Sequence, residues 1–157
     1  MGNEQSSSPQ QGSSNTEPNY PLGGRHSDCN HMGIWAVVLN NGPVFVTGGS
    51  SYYSYLDSTE LYDPSAGLWT MTNIMENPRY AHTASLLTKG KILVTGGWGG
   101  TSYLNSAELY DISVGNWATT GNMNIARECH TSSVLPNGNV LVTGGLNFIP
   151  LNRSELY

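Results

Sequence analysis

Two histidines, His82 and His130, are the residues whose type and spacing first suggest chemistry. They lie 48 positions apart, each followed by Thr and a short apolar run, so both could face a common axis and bind a metal ion through imidazole nitrogens. However, the residues around them recur at the same interval, as HTASLLTKGKILVTGG and HTSSVLPNGNVLVTGG. A side chain that returns with every repeat more often defines a fold than forms a site. We therefore interpret both histidines as structural and predict no metal site.

Charged residues follow the same interval. Arg79 returns as Arg127, and Glu-Leu-Tyr triplets begin at Glu60, Glu108 and Glu155. We predict that the arginines form partly buried ion pairs with these glutamates and hold one repeat to the next. No GxSxG, Walker, HExxH or paired-cysteine motif occurs in the sequence. We therefore predict no catalytic residues and no cofactor.

The composition argues against several classes of function. The 157 residues carry a net charge of −5, and the six Lys and Arg residues are scattered singly, so no basic stripe is available for nucleic acid. The apolar runs are far shorter than the roughly 20 residues that a membrane span needs. No apolar signal segment follows Met1, and the two cysteines are too few for a disulfide framework, which fits a reducing compartment. We predict a cytoplasmic protein.

Residues 1–27 differ in composition from the rest of the chain. They are rich in Ser, Gln, Asn, Pro and Gly and almost without aliphatic side chains, so we predict a disordered polar tail that ends before residue 28. Gly2 and Ser6 fit the acceptor pattern for N-myristoylation. Glu4 and the lack of nearby lysines favour a chance match, and a single myristoyl chain would give only marginal membrane binding.

The remaining chain, residues 28–157, is built from three repeats. The units cover residues 31–78, 79–126 and 127–157. A fixed period of this size indicates stacked supersecondary units that cannot bury their own faces alone. The recurring marks are the hairpin glycines Gly42, Gly90 and Gly138, the diglycines that begin at Gly48, Gly96 and Gly144, and the tryptophans Trp69 and Trp117.

Each unit reads as four short strands. The first two are short apolar runs rich in β-branched residues, and they are joined at Asn41-Gly42, Lys89-Gly90 or Asn137-Gly138. Asn-Gly between such runs is the strongest local signal for a hairpin, because both central residues of the turn must take positive φ. The third strand carries Glu-Leu-Tyr, and the fourth begins near the tryptophan. The pattern predicts an all-β protein of four-stranded antiparallel meanders.

This pattern of His, hairpin Gly, Val-Thr-Gly-Gly, variable loop, Glu-Leu-Tyr-Asp and Trp closely resembles the kelch repeat. The form LPNGNVLVTGG is similar to the units of galactose-oxidase-like propellers. The resemblance covers residues 31–157, although His31 and Ile34 stand in unit one where the pattern has Arg and His. It implies a kelch-type β-propeller in which each unit is one blade.

The resemblance also implies a partial propeller. The chain supplies two full blades plus three strands of a third, as expected for part of a longer protein. Open blade faces and an unpaired strand edge would promote self-association, so we expect these residues alone to aggregate or to pair into a larger ring. The side chains that we expect to be incompletely covered are Val44, Val46, Val140 and Val142.

The function that we favour is binding of a protein partner, because kelch resemblance implies an interaction scaffold. The loops at 50–57, 98–105 and 146–152 differ most among the units and carry aromatic residues, which are enriched at binding hot spots. We expect Tyr55 and Tyr103, which occupy matching positions, to fold back onto their own blades. The predicted partner-binding residues are Tyr53, Trp98 and Phe148.

A galactose-oxidase-like copper radical oxidase is the alternative. That family builds its copper site from a Cys linked to a Tyr, an overlying Trp, a second Tyr and two His. Cys29, Tyr80 and Trp98 supply three of these residue types, but none stands at the family's spacing. A site must be argued from its own geometry and not from its fold, so we predict that the protein is not an enzyme.

Overall fold

The computed structural model describes residues 35–51 and 54–157, and these residues form an all-β protein, as predicted. No helix occurs among them, and three antiparallel sheets of four, four and three strands correspond to the three units. Residues 1–34, Tyr52 and Tyr53 lie outside the described part of the chain. The predicted polar tail, the Gly2 acceptor site, Cys29 and the Tyr53 contact therefore remain predictions.

The first two sheets are complete meanders, each in sequential strand order. The first sheet contains β1 (Trp35–Val38), β2 (Val44–Thr47), β3 (Thr59–Asp63) and β4 (Leu68–Met71). The second contains β5 (Thr83–Leu87), β6 (Lys91–Thr95), β7 (Ala107–Asp111) and β8 (Asn116–Thr119).

The third unit contains β9 (Thr131–Val134), β10 (Val140–Thr143), β11 (Leu146–Asn147), β12 (Ile149–Pro150) and β13 (Ser154–Leu156). Three of these strands form the third sheet, in the order β13-β10-β9. The other two, β11 and β12, form a two-stranded hairpin in the loop that joins β10 to β13.

The hairpin turns differ from one another in a way that the sequence pattern did not show. Both Lys89 and Gly90 have positive φ, at 67° and 70°. In the two Asn-Gly turns only the glycines, Gly42 and Gly138, have positive φ. The amide of each glycine donates a hydrogen bond to the carbonyl oxygen of the leucine three residues before it. These are three-residue loops in which a turn is followed by a left-handed glycine, and they give the same hairpin.

The core lies between neighbouring sheets because the strands present apolar side chains in alternation. Phe45 of the first sheet packs against Ile92 and Tyr110 of the second, whereas Leu93, one position further along β6, packs toward the third. Side chains on successive residues of a strand point to opposite faces, so one strand serves two interfaces. This explains why the middle unit is apolar on both sides.

The expectation about incompletely covered valines was wrong for the third unit. Val140 and Val142 are fully buried against the second sheet, whereas Val44 and Val46 are half-buried. The uncovered face of the third sheet instead carries Leu156, which is 59% exposed and lies opposite Leu141 in the ladder. The reason is directional: units one and three are open on opposite sides, so the same repeat position is exposed in one and covered in the other.

Candidate functional site

Two buried ion pairs hold the segments that lead into the second and third sheets. Arg79 Nη2 lies 2.6 Å from Glu108 Oε1, and Arg127 Nη2 lies 2.5 Å from Glu155 Oε1. Glu108 also accepts hydrogen bonds from the backbone amides of Glu76 and Asn77, at 2.7 and 3.2 Å. Each pair therefore pins the incoming connection onto the sheet that it enters.

The ion-pair geometry supports the prediction for Glu108 and Glu155 and departs from it for Glu60. Glu60 forms no ion pair or side-chain hydrogen bond with the described residues. Burial favours the neutral form of Arg79 and lowers its pKa, which the Glu108 carboxylate opposes by raising it. Because both members of the pair are hydrogen-bonded, the charges are compensated inside the fold.

The imidazole rings of His82 and His130 are buried and pack against the first glycine of a diglycine, Gly48 and Gly96 respectively. Burial lowers the pKa of His82 to about 3 and that of His130 to about 4, so both imidazoles are neutral at pH 7. His130 Nε2 lies 3.0 Å from Thr83 Oγ1 and 3.1 Å from Thr95 Oγ1. An added Cβ on Gly48 or Gly96 would stand within 2.8 Å of the Cε1 atom of His82 or His130. This packing supports the structural interpretation.

A row of aromatic rings, exposed at its two ends and half-buried between them, crosses all three units. We refer to it as the aromatic surface, and it consists of Tyr55, Tyr80, Trp98, Tyr103 and Phe148. Tyr55 stacks on Tyr80 with ring centroids 5.4 Å apart and 13° between planes. Trp98 and Tyr103 meet edge to face at 4.9 Å, and Tyr103 meets Phe148 in the same way at 5.1 Å.

Backbone pairing positions these rings. The amide of Tyr80 donates to the carbonyl of Trp98 at 3.1 Å, and the reverse hydrogen bond is 2.9 Å long. Trp98 also forms a β-bridge with Tyr103. The loop that follows the second diglycine is thus held both to the incoming connection and to itself. The aromatic surface is therefore built on hydrogen-bonded backbone.

Phe148 is the most prominent member of the aromatic surface. It stands at the tip of the hairpin between β11 and β12, and its side chain is 86% exposed beside Ile149, which is 68% exposed. Its φ is 57°, a left-handed value that is a genuine outlier for a bulky residue. Strain of this kind persists only where the surroundings enforce it, and it concentrates at functional sites.

The remaining aromatic residues lie elsewhere than the sequence suggested. Tyr55 does not fold onto its own sheet: it remains 41% exposed and reaches across to Tyr80 and Gly100 of unit two. Trp98 is half-buried, and Tyr103 lies between it and Phe148. Sequence reasoning missed Ile149 as an exposed neighbour, although its place in a variable loop beside Phe148 was a usable signal.

The geometry adds no support for the copper alternative. Burial, reinforced by the charge of Glu128, raises the pKa of Tyr80 to about 12, so its hydroxyl is protonated at pH 7. Among residues 35–51 and 54–157 there is no cluster of three or more His, Cys, Asp or Glu side chains that could hold a metal ion. Tyr80 and Trp98 are neighbours because their backbones pair in an antiparallel bridge.

Cys129 is disulfide-bonded, which the sequence analysis did not predict. The sequence contains one other cysteine, Cys29, which lies outside the described residues. Disulfides persist mainly in oxidising compartments. The cytoplasmic location therefore stays a prediction that the redox state of Cys129 in the native protein would test.

Comparison with known proteins identifies the repeat. The family model for the Kelch motif matches residues 36–76 and 79–124, which correspond to the first two units. A search of curated proteins gave no match. The part of the chain that the structure describes contains no candidate for a membrane-spanning helix.

Proposed function

Because this chain belongs to the kelch-repeat family, we propose that it is a non-catalytic module that binds a protein partner through the aromatic surface. Kelch repeats form β-propeller modules that typically mediate protein interactions. The observation that carries the proposal is Phe148, which is exposed at the tip of a hairpin and has a left-handed backbone conformation. Its ring packs edge to face against the ring of Tyr103.

The contacts around Phe148 resemble those of a binding hot spot. A large exposed apolar side chain loses most when it is truncated if its position is preorganised and its neighbours exclude water. The ring of Tyr103 contacts the Phe148 ring, and Tyr103 is itself held by Trp98. Ile149 extends the apolar tip. A partner with a shallow apolar pocket would bury the tip of the hairpin and contact the edge of Trp98.

Affinity capture with matched variants tests the proposal. The wild-type protein, Phe148→Ser and Val114→Ser would each be immobilised and exposed to lysate, and captured proteins would be quantified by mass spectrometry. Val114 is a suitable control because it is 64% exposed in the turn between β7 and β8, away from the aromatic surface.

We expect Phe148→Ser to capture at least tenfold less of a protein that the wild type captures specifically. Removing a buried aromatic anchor commonly costs about 2 kcal/mol or more of binding free energy, which corresponds to roughly 30-fold in affinity. Val114→Ser should capture that protein as the wild type does. Circular dichroism would confirm that both variants keep the fold. Equal capture by wild type and Phe148→Ser would refute the proposal.

A further inference from the structure

A groove of about 420 Å³ lies between the connection that leaves the first sheet and β8, the outer strand of the second sheet. None of its lining residues belongs to the aromatic surface. It is therefore a candidate site separate from the one proposed above, and its test does not depend on Phe148. The residues that decide its chemistry are Asp57, Ile74, Glu76, Glu108 and Trp117.

Trp117 and Ile74 form the apolar part of the groove. The indole Nε1 of Trp117 donates to the carbonyl oxygen of Asn73 at 2.9 Å. The Trp117 ring packs against Tyr110 and Phe45, with centroid distances of 5.0 and 6.0 Å. Ile74 lies on the connection, and its side chain is 56% exposed. The groove thus presents an aromatic wall that is fixed in place, beside an aliphatic side chain that the described residues leave uncovered.

Asp57 and Glu76 give the groove a negative charge. The Glu108 carboxylate is already paired with Arg79, whereas neither Asp57 nor Glu76 forms an ion pair with another described residue. Their backbone is nevertheless held, because the amide of Met75 donates to the carbonyl oxygen of Asp57 at 2.9 Å and the amide of Glu76 donates to Glu108 at 2.7 Å. Carboxylates held in this way beside apolar surface favour a cation.

The second unit carries neutral amides at the matching positions. Asp57, Ile74 and Glu76 correspond, 48 positions further on, to Asn105, Asn122 and Asn124. The amide of Asn124 donates to Glu155 at 2.6 Å, as the amide of Glu76 donates to Glu108. The same connection therefore forms with and without the carboxylates. The negative charge and the exposed aliphatic side chain belong to the groove beside β8 and are not required by the repeat.

We propose that this groove binds a cationic segment of a protein partner, with an arginine side chain of the segment against Trp117. A guanidinium plane stacks on an aromatic ring and donates to carboxylates, here those of Asp57 and Glu76. The methylene chain of the arginine covers Ile74, as long cationic side chains cover apolar surface elsewhere. The net charge of −5 favours the approach of a basic partner. The volume lies within the range of about 300 to 1,000 Å³ that is usual for ligand sites.

An NMR titration with n-butylguanidinium tests the proposal, because this probe carries the guanidinium group and an alkyl chain like that of arginine. The matched probe is n-butylurea, which has nearly the same shape and no charge. Each tryptophan gives one indole N–H resonance, so Trp117 reports binding in the groove. The internal references are Trp35, Trp69 and Trp98.

Two variants accompany the wild type. The first combines Asp57→Asn with Glu76→Gln, which removes both charges and nearly preserves the size of the side chains. The second is Glu60→Gln, a matched control because Glu60 lines a different cavity, of about 180 Å³, on the first sheet. Dispersion of the indole resonances would show that each variant keeps the fold.

We expect butylguanidinium to shift the Trp117 resonance in wild type and in Glu60→Gln with equal Kd. The Kd of the double variant should be at least about threefold higher, and that of butylurea for wild type should be higher by a similar factor. An unchanged Kd in the double variant would overturn the proposal. Equal binding of butylurea to wild type would overturn it even if the double variant failed to fold.

Two other results would also overturn the proposal. Equal shifts of all four indole resonances would show that the probe binds without preference for the groove. A Trp117 resonance that moves when the protein is diluted without probe would assign the groove to a second copy of this chain.

Discussion

Acidification should destabilise this protein mainly through His82 and His130. Desolvation is the largest cause of their low pKa values, about 3 and about 4, and the positive charges of Arg79 and Arg127 add to it. Both values lie below 6.5, the ordinary value for histidine. Below pH 6.5 the unfolded chain therefore binds more protons at these positions than the folded chain does.

The sign and size of the effect follow from this difference. Stability is fully present above pH 6.5 and is lost as the pH falls toward the folded-state pKa values. Well below pH 6.5 each histidine contributes a loss of about 1.4 kcal/mol per pH unit, so the two together lose about 5 kcal/mol between pH 6.5 and 4.5. That is comparable with the whole stability of a small domain, about 5 to 15 kcal/mol.

Other titrating groups act in a lower pH range. Hydrogen bonds from Ser65 lower the pKa of Asp63, and hydrogen bonds from Ser113, with help from Lys91, lower the pKa of Asp111 to about 2. Their unfolded-state values are 3.8, so their contributions to stability are lost mostly below about pH 4.5. Among the described residues, His82 and His130 therefore dominate the slope of stability against pH between pH 6.5 and 5.

Urea denaturation from pH 7.5 to pH 5 measures this slope. We expect about 2.7 kcal/mol per pH unit in the lower part of the range for wild type, and about half of that for either His82→Gln or His130→Gln. A wild-type free energy of unfolding that is flat over this range, or imidazole NMR resonances of His82 and His130 that titrate near pH 6.5, would refute the reasoning.

Two further predictions concern the recurring contacts. Glu108→Gln should lower the free energy of unfolding by about 3 to 5 kcal/mol, because Arg79 is then buried without a carboxylate partner. Lys91→Met breaks a partly exposed pair with Asp111 and should have a much smaller effect, so equal losses of stability in thermal unfolding would contradict the prediction. Gly67→Ala should lower the free energy of unfolding by about 1 kcal/mol, because Gly67 has a positive φ. Gly96→Ala should lower it several times more, because an added Cβ would also stand 2.5 Å from a carbonyl oxygen. Equal shifts of the two denaturant midpoints would show that the backbone moves to relieve this contact.

Much of the fold was predictable because it depends on local chemistry. Hairpin glycines, β-branched runs and a constant period specify strand, turn and strand without knowledge of the neighbours. The pairing of Arg79 with Glu108 was among the alternatives, because both recur with the repeat. That Arg79 pairs with Glu108 and not with Glu60 could not be predicted, because it depends on which connection lies against each sheet.

The candidate site was less predictable because it forms between units. The aromatic loops and Phe148 were identified from residue type and variability, but the stacking of Tyr55 on Tyr80 joins two units that the period treats as separate. The left-handed backbone at Phe148 follows from the hairpin that replaces a longer loop in unit three. The disulfide of Cys129 likewise depends on approach through space, which residue spacing does not report.

The sequence alone determined the all-β class, the three units and the positions that share a face, because periodicity and turn residues act over a few bonds. Only the tertiary structure decided which of those equivalent positions are covered. Val142 is buried while Val46 is half-buried, and Glu108 is paired while Glu60 lines a cavity. The physical reason is that burial and ion pairing are set by the neighbouring sheet, and the first and third units have their neighbour on opposite sides.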